Sequence, residues 1–216
     1  MTSRERLRTI IAGGIPDRCG FWLGNPHPDT WPIYFDYFGT DSQEDIRKEL
    51  NDDFRWVMGG DYLPLHGKPM FFVDKIAHGT GGPFANTKDV QELEDYDWPQ
   101  IEHLDFTNPI NELKSIGPFY RASGFWTCFY HNVMDLFGME SYLVNMYENP
   151  GLVHAVTDRV CEFYYQANEH YFQAAGEVMD GFFFGNDFGT QLDLICSPAQ
   201  FDEFVMPWFL RFTEQA

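Results

Sequence analysis

The sequence predicts an α/β protein with a parallel sheet, arranged as the first half or so of a (β/α)8 barrel. Short apolar runs alternate with helical patterns along the chain, which is the order of a βα fold. Residues 182–184 are phenylalanines between glycines, as in a strand buried on both faces. About four βα units can be counted, whereas a closed barrel takes about 250 residues.

The elements of the amino-terminal half follow from helix caps and apolar runs. Thr2 and Glu5 have the capping-box spacing, which predicts a helix at the start of the chain. Asp41 and Glu44 repeat this spacing and predict another helix start. Strands are predicted at residues 18–23 and 52–57, and an aromatic-rich helix at 30–38.

The amino-acid composition of the chain changes between residues 59 and 105. Glycines and prolines are frequent up to residue 86, and the apolar stretch 70–73 predicts a hairpin. Acidic residues are frequent from 89 to 105, which predicts a packed surface loop. We therefore expect one α/β domain over residues 1–216, with an excursion at about 59–105.

The carboxyl-terminal half contains the strongest helical pattern. Asn149-Pro150 predicts a helix start, and apolar residues then recur every three or four positions until Gly176. Ser197-Pro198 predicts a last helix, which Pro207 is expected to kink. Strands are predicted at residues 117–122 and 178–184, and two shorter helices at 125–137 and 140–147.

Composition and charge exclude several classes of function. The chain has 14 Lys and Arg against 33 Asp and Glu, a net charge of -19, which opposes non-specific binding to nucleic acid or to an anionic membrane. No apolar run approaches the roughly 20 residues of a membrane span, and the amino terminus is charged. We expect a cytoplasmic protein with neither nucleic acid nor a membrane as partner.

Cysteine and histidine spacing predicts no metal site. The 4 cysteines are far apart and form no Cys-x-x-Cys pair, so they are interpreted as reduced thiols. The 7 histidines show no His-Glu-x-x-His spacing.

Polar residues lie at the ends of the predicted strands, and ligands bind at the carboxyl ends of parallel strands. Asp187 follows the 178–184 strand closely and is the first candidate for a catalytic acid, with a turn or cap role as the alternative. Asp53 is the second catalytic candidate, expected close to the mouth of the barrel, with a place in a helix-to-strand turn as the alternative. The candidate substrate-binding residues are Asn25, His27, Asp61, Tyr120, Ser123, Asn186 and Gln191.

Two further expectations concern how these residues are arranged. Asn25, His27, Tyr120 and Asp187 should converge on one rim, because parallel strands end at the same edge. The residues expected in the core rather than in contact with a ligand are Trp22, Phe54, Phe119, Val156, Val160, Phe163, Phe182 and Phe184.

Short motifs along the chain resemble those of one enzyme superfamily. They are Pro16-Asp17-Arg18 before Phe21-Trp22-Leu23, Asp53-Phe54-Arg55, Phe137-Gly-Met-Glu140 before Asn149-Pro150, and Asn186-Asp-Phe-Gly-Thr-Gln191 before Ser197-Pro198. From about Arg4 to its end, the chain resembles the uroporphyrinogen decarboxylase superfamily, which includes methylcobalamin:coenzyme M methyltransferases.

The resemblance implies a (β/α)8 barrel of the uroporphyrinogen decarboxylase type, of which this chain supplies about the first half. The main interpretation is a decarboxylase-like enzyme in which an aspartate stabilises positive charge on a tetrapyrrole. Uroporphyrinogen itself is not the expected substrate, because residues 23–27 lack the arginines that hold its carboxylates in the family. The alternative is methyl transfer from a corrinoid to a thiol, and the second alternative is a non-catalytic half-barrel or binding module.

The resemblance also sets expectations for cofactors and partners. The ligand is expected to be a tetrapyrrole, a corrinoid or a methylated compound. No cofactor is evident in the chain, and in the methyltransferase branch the zinc ligands come from the later half of the barrel. We expect a homodimer or completion by that half, because the first and last strands have unpaired edges.

Overall fold

The computed structural model describes residues 1–62, 71 and 81–216. The helices are α1 (Ser3–Ile11), α2 (Trp31–Phe38), α3 (Gln43–Glu49), α4 (Thr107–Ser115), α5 (Phe129–Phe137), α6 (Met139–Glu148), α7 (Pro150–Ala175), α8 (Pro198–Phe204) and α9 (Met206–Gln215). The strands are β1 (Phe54–Met58), β2 (Asp61–Tyr62), β3 (Leu104–Asp105), β4 (Tyr120–Gly124) and β5 (Gly181–Phe182). Short 3-10 turns occupy Pro28–Thr30, Val90–Asp95 and Ile101–His103.

A small parallel sheet lies at the centre of the fold, in the order β1-β4-β5. Phe54 pairs with Tyr120 and Met58 with Gly124, while Ala122 pairs with Gly181 on the other side of β4. The predicted α/β class with a parallel sheet is therefore confirmed. A closed barrel is not seen in the described part of the chain.

The predicted strand at residues 18–23 is not a strand. The amide of Phe21 donates to Asp53 Oδ2 at 3.0 Å, and the amide of Leu23 donates to Asp52 Oδ2 at 3.2 Å. The backbone N–H groups of this segment thus donate to carboxylate oxygens and not to the carbonyl groups of a neighbouring strand. The predicted 178–184 strand is shortened to β5, which pairs with β4 alone among the described strands.

The excursion departs from the sheet at the end of β1. Its described ends pair antiparallel, with Asp61 in β2 opposite Asp105 in β3. The hairpin predicted at 70–73 lies outside the described residues except for Phe71, which is buried against Phe163 and Tyr164 of α7. Residues 90–103 form turns rather than a long helix, as expected for a packed loop.

Helix α7 forms the centre of the layer that covers one face of the sheet. Its apolar positions at spacings of three and four residues are fully buried, which confirms the predicted long helix. Phe182 contacts Phe172 of α7, and Phe184 contacts Phe212 of α9, so both side chains point into this layer. The fully buried residues of the α7 stripe are Val153, Val156, Val160, Ala167 and Tyr171.

The predicted caps agree with the structure at α1 and α8 and differ at α3. Thr2 and Glu5 form the capping box of α1, and Ser197 caps α8. Ser42 rather than Asp41 caps α3, because its hydroxyl accepts from the amide of Asp45. Pro207 lies in the first turn of α9, and the helix expected to kink is divided into α8 and α9, with Val205 between them. None of the described helices is long and apolar enough to cross a bilayer.

Candidate functional site

The carboxylate of Asp53 is buried at the amino-terminal edge of the sheet, just before β1. It accepts hydrogen bonds from Arg6 Nη1 at 2.6 Å and from Arg18 Nη1 at 2.8 Å, and its side chain has 0% exposure. Burial alone would raise its pKa, but hydrogen bonds from Ser3, Arg18 and the Phe21 amide lower the pKa overall. The structure contradicts the predicted place of Asp53, because ion pairs hold it opposite the carboxyl ends of the strands.

Asp180 repeats this arrangement just before β5. Its buried carboxylate accepts from Arg4 Nε at 2.8 Å, from Arg8, and from the amide of Arg121 at 3.0 Å. The hydroxyl of Tyr120 donates to the carbonyl of Asp180 at 3.1 Å. Tyr120 therefore lies at the amino-terminal edge and not at the predicted rim, because it is the first residue of β4.

Ser123 and Asn25 also lie away from the predicted rim. The hydroxyl of Ser123 donates to the carbonyl of Val57 at 2.6 Å and bonds the Tyr171 hydroxyl at 2.8 Å, so it faces the helix layer with 0% exposure. Asn25 lines a cleft of about 710 Å³ together with Arg55, which is buried near the start of β1. Strand alternation and the lost strand at 18–23 explain these two corrections.

The remaining predicted residues lie on exposed turns or at the excursion. His27 is exposed and pairs with Asp29 in its own turn, Nδ1 to Oδ2 at 3.5 Å. No described contact joins His27 to Asp187. Asp61 follows the end of β1 by three residues, and only its backbone is described. Gln191 lies in an exposed turn between Gly189 and Leu194.

Five aromatic side chains form a half-buried surface on the face of the sheet opposite α7. We call this surface the aromatic face; Phe183 is at its centre. Ring centroids lie 5.0 Å apart for Phe183 and Trp22, and 5.9 Å apart for Phe183 and Trp126. The members are Trp22, Phe54, Trp56, Trp126 and Phe183. Trp22 and Phe54 are therefore not enclosed core residues as predicted.

Two indole N–H groups of the aromatic face have no acceptor among the described residues. The Nε1 atoms of Trp22 and Trp56 are buried, and no described group accepts their hydrogen bonds. A buried donor without an acceptor costs about 1–3 kcal/mol. Both N–H groups are shielded from solvent, so a ligand on this face would contact the exposed parts of the rings, which suit a flat and mainly apolar group.

The carboxyl ends of β4 and β5 are joined by the side chain of Asn186. Its Nδ2 donates to the carbonyl of Thr127 at 2.9 Å, and its Oδ1 accepts from the amide of Tyr130 at 3.1 Å. The second bond satisfies an amide in the first turn of α5, which has no side-chain cap of its own. Both groups of the predicted substrate-binding amide are thus used within the protein.

Asp187 and His131 stand together at this edge, and we call them the rim pair. Asp187 Oδ2 lies 3.9 Å from His131 Nε2, and the two side chains are 92% and 37% exposed. The distance permits an ion pair when the imidazole is protonated, without a direct hydrogen bond. Imidazole side chains commonly act as general bases or acids in enzymes.

Sequence reasoning assigned no role to His131. The available signal was its position, because it lies in the first turn after the carboxyl end of β4, where ligands bind in parallel sheets. The histidine was overlooked because its neighbours are aromatic and predict a buried helix.

The described residues do not contain a ready metal site. No group of three His, Cys, Asp or Glu side chains lies close enough together there to hold a metal ion. The rim pair supplies two ligands at most, fewer than the three protein ligands of a catalytic zinc site. Zinc chemistry is therefore not assigned to these residues.

Comparison with known proteins gives one finding at the level of the fold. A solved methyltransferase structure from Methanosarcina mazei matches 100% of this chain with a TM-score of 0.62 and 14% identity, and the match covers 67% of that protein. The sequence matches no family model and no curated protein. The chain shares an α/β fold with this methyltransferase, and the comparisons give the decarboxylase interpretation no support.

Proposed function

We propose that the protein is a methyltransferase-like enzyme that works at the carboxyl-terminal edge of its parallel sheet. The observation that carries this proposal is the rim pair, whose members closely follow Trp126 and Phe183 of the aromatic face in the chain, on a fold similar to that of a methyltransferase. The proposed reaction moves a methyl group from a corrinoid to a thiol. The proposed site is the rim pair together with the aromatic face, and the proposed substrates are a corrinoid and a thiol.

The aromatic face supports a corrinoid as methyl donor. Its rings would cover a large, flat and mainly apolar ligand, since aromatic side chains stack well on planar groups. A corrinoid supplies an activated methyl group bound to cobalt.

The rim pair supports removal of the thiol proton. In the proposed step the thiol proton would pass to the imidazole of His131, and the thiolate would take the methyl group, with the electron pair of the cobalt–carbon bond left on the corrinoid. Asp187 stabilises the imidazolium by its charge across 3.9 Å. Since Asp187 is exposed, the carboxylate depends on substrate binding to exclude water from this pair.

The positions of the arginines favour this reaction over decarboxylation of a polycarboxylate. Around the described sheet, the arginines are bound to carboxylates or carbonyls near the amino-terminal edge. None of them is available to hold substrate carboxylates beside the rim pair. These residues are Arg4, Arg6, Arg8, Arg18, Arg47, Arg55 and Arg121.

Methyl transfer from methylcobalamin to 2-mercaptoethanol, followed by cobalamin absorbance, tests the proposal. We expect His131→Gln to lower turnover about 100-fold or more, the usual contribution of a general base, and Asp187→Asn to lower turnover by a smaller factor, because it removes only a charge beside that base. Their thermal midpoints should equal that of the wild type, because Asp187 is 92% exposed.

The control for the rim pair is Asp29→Asn, which changes a second exposed carboxylate beside a histidine. This variant should keep full turnover. Wild-type turnover in Asp187→Asn would refute the assigned role of the rim pair. A wild type that transfers no methyl group would refute the proposed function.

A further inference from the structure

Asn168 lies in the middle of α7, where a core residue would be expected. Its side chain has 0% exposure, and its helix neighbours Ala167 and Tyr171 are buried apolar residues. Asparagine is a poor helix former, and a buried amide destabilises the fold unless its groups are bonded. The side chain therefore has partners that compensate for both costs.

The partners of Asn168 belong to the segment that leaves β4. Asn168 Oδ1 accepts from the amide of Phe125 at 3.0 Å, and Nδ2 donates to Thr127 Oγ1 at 3.0 Å. The same Thr127 hydroxyl donates to the carbonyl of Phe125 at 3.0 Å. These bonds fix the turn that begins at Gly124, whose φ of 123° is accessible to glycine.

The turn fixed by Asn168 is also the anchor of Asn186. The Thr127 carbonyl accepts from Asn186 Nδ2, and Asn186 Oδ1 caps the Tyr130 amide in the first turn of α5. His131 follows Tyr130, and Asp187 follows Asn186. A path of hydrogen bonds therefore runs from α7 through Thr127 and Asn186 to the residues that directly precede the two members of the rim pair.

We propose that Asn168 is a positioning residue that sets the distance between His131 and Asp187 through Thr127 and Asn186. The inference rests on the rim pair being the functional site of the proposed function. Asn168 touches neither member of the pair, so its action is through the two turns. Loss of its amide should let the turns separate while α7 and the sheet remain folded.

The test measures the free protein and needs no substrate. In Asn168→Ala, the ring signals of His131 in an NMR spectrum should shift, as they also should in Asp187→Asn. Hydrogen exchange of the Tyr130 amide should become at least about tenfold faster relative to global unfolding. This is the change in rate expected when the stabilisation from about one hydrogen bond is lost. Assignment of the His131 signals follows from their disappearance in His131→Gln.

The matched control is Asn145→Ala in α6, another buried helical asparagine. Its Nδ2 donates to the carbonyl of Ser141 at 2.7 Å, within α6 and not to either turn at the rim. This variant should lose stability but leave the His131 signals and the Tyr130 exchange unchanged. If Asn168→Ala does not fold, Thr127→Val tests the same path by removing the hydroxyl.

The positioning role would be overturned if the His131 signals and the Tyr130 amide exchange in Asn168→Ala match those of the wild type. The same holds for Thr127→Val if it is used as the substitute. This outcome would be independent of the turnover assay, because methyl transfer is not measured. A failed methyl-transfer assay with a positive NMR result would instead refute the proposed reaction and keep the positioning role.

Discussion

Replacement of Asp53 with alanine is expected to lower the free energy of unfolding by about 3–5 kcal/mol, the cost of breaking a buried ion pair by removing one partner. The effect should be large because Arg6 is only 7% exposed and would lose one of its two carboxylate partners. Arg18 and the Phe21 amide would also lose an acceptor. Urea denaturation measures the change.

The pH dependence of this pair has a definite sign. The folded pKa of Asp53 is lowered, so its contribution is complete above the unfolded pKa of about 3.9 and is lost as the pH falls through the folded value. The difference between wild type and Asp53→Ala should therefore shrink only below about pH 4. Asp29→Ala is the control, since its 93% exposed carboxylate should change stability by less than about 0.5 kcal/mol. Equal losses in the two variants would contradict the buried ion pair.

Replacement of Phe212 with alanine is expected to destabilise the protein by about 3–5 kcal/mol. Phe212 has 0% exposure and connects α9 with the rest of the core, with ring centroids 5.5 Å from Phe129 and 6.0 Å from Phe184. Its removal would leave a cavity that these rigid rings cannot fill. Denaturant titration measures the loss. If the dependence of the unfolding free energy on denaturant concentration is unchanged, the whole effect of the substitution is on stability.

Phe183→Ala is the matched comparison. It also removes a phenylalanine side chain, but from the aromatic face, on the side of the sheet opposite α7. Phe183 is only half-buried, so we expect a loss of about 1–2 kcal/mol from its partial burial. A loss in Phe183→Ala as large as that in Phe212→Ala would mean that the aromatic face is enclosed core and not a surface for ligands.

Local patterns along the sequence predicted the helices well. The spacing of apolar residues and the Asn149-Pro150 start identified α7, since a helix of this length repeats its signal many times. Thr2 with Glu5 and Ser197 with Pro198 identified two further starts, because capping depends on residues only a few positions apart. The carboxyl-end rule also placed Asp187 at an exposed edge beside a turn.

The roles of the candidate site residues could not be predicted in the same way, because they depend on contacts between residues that are far apart in the sequence. Residues 18–23 have the composition of a strand, but their amides bind Asp52 and Asp53, which lie about thirty residues further on. The ionic role of Asp53 depends on Arg6, which is 47 positions away. The partnership of His131 with Asp187 likewise arises only when two turns meet at one edge of the sheet.

The central claim is that the buried ion pairs at the amino-terminal edge of the sheet stabilise the fold, and that the aromatic face and the rim pair bind the ligand. Calorimetric titration of methylcobalamin into folded wild type, Trp126→Ala and Asp53→Asn tests it most directly. We predict binding by the wild type, affinity at least about tenfold weaker in Trp126→Ala, the scale of an aromatic anchor, and wild-type affinity in Asp53→Asn. No binding by the wild type, or a loss of affinity in folded Asp53→Asn with none in Trp126→Ala, would contradict the claim.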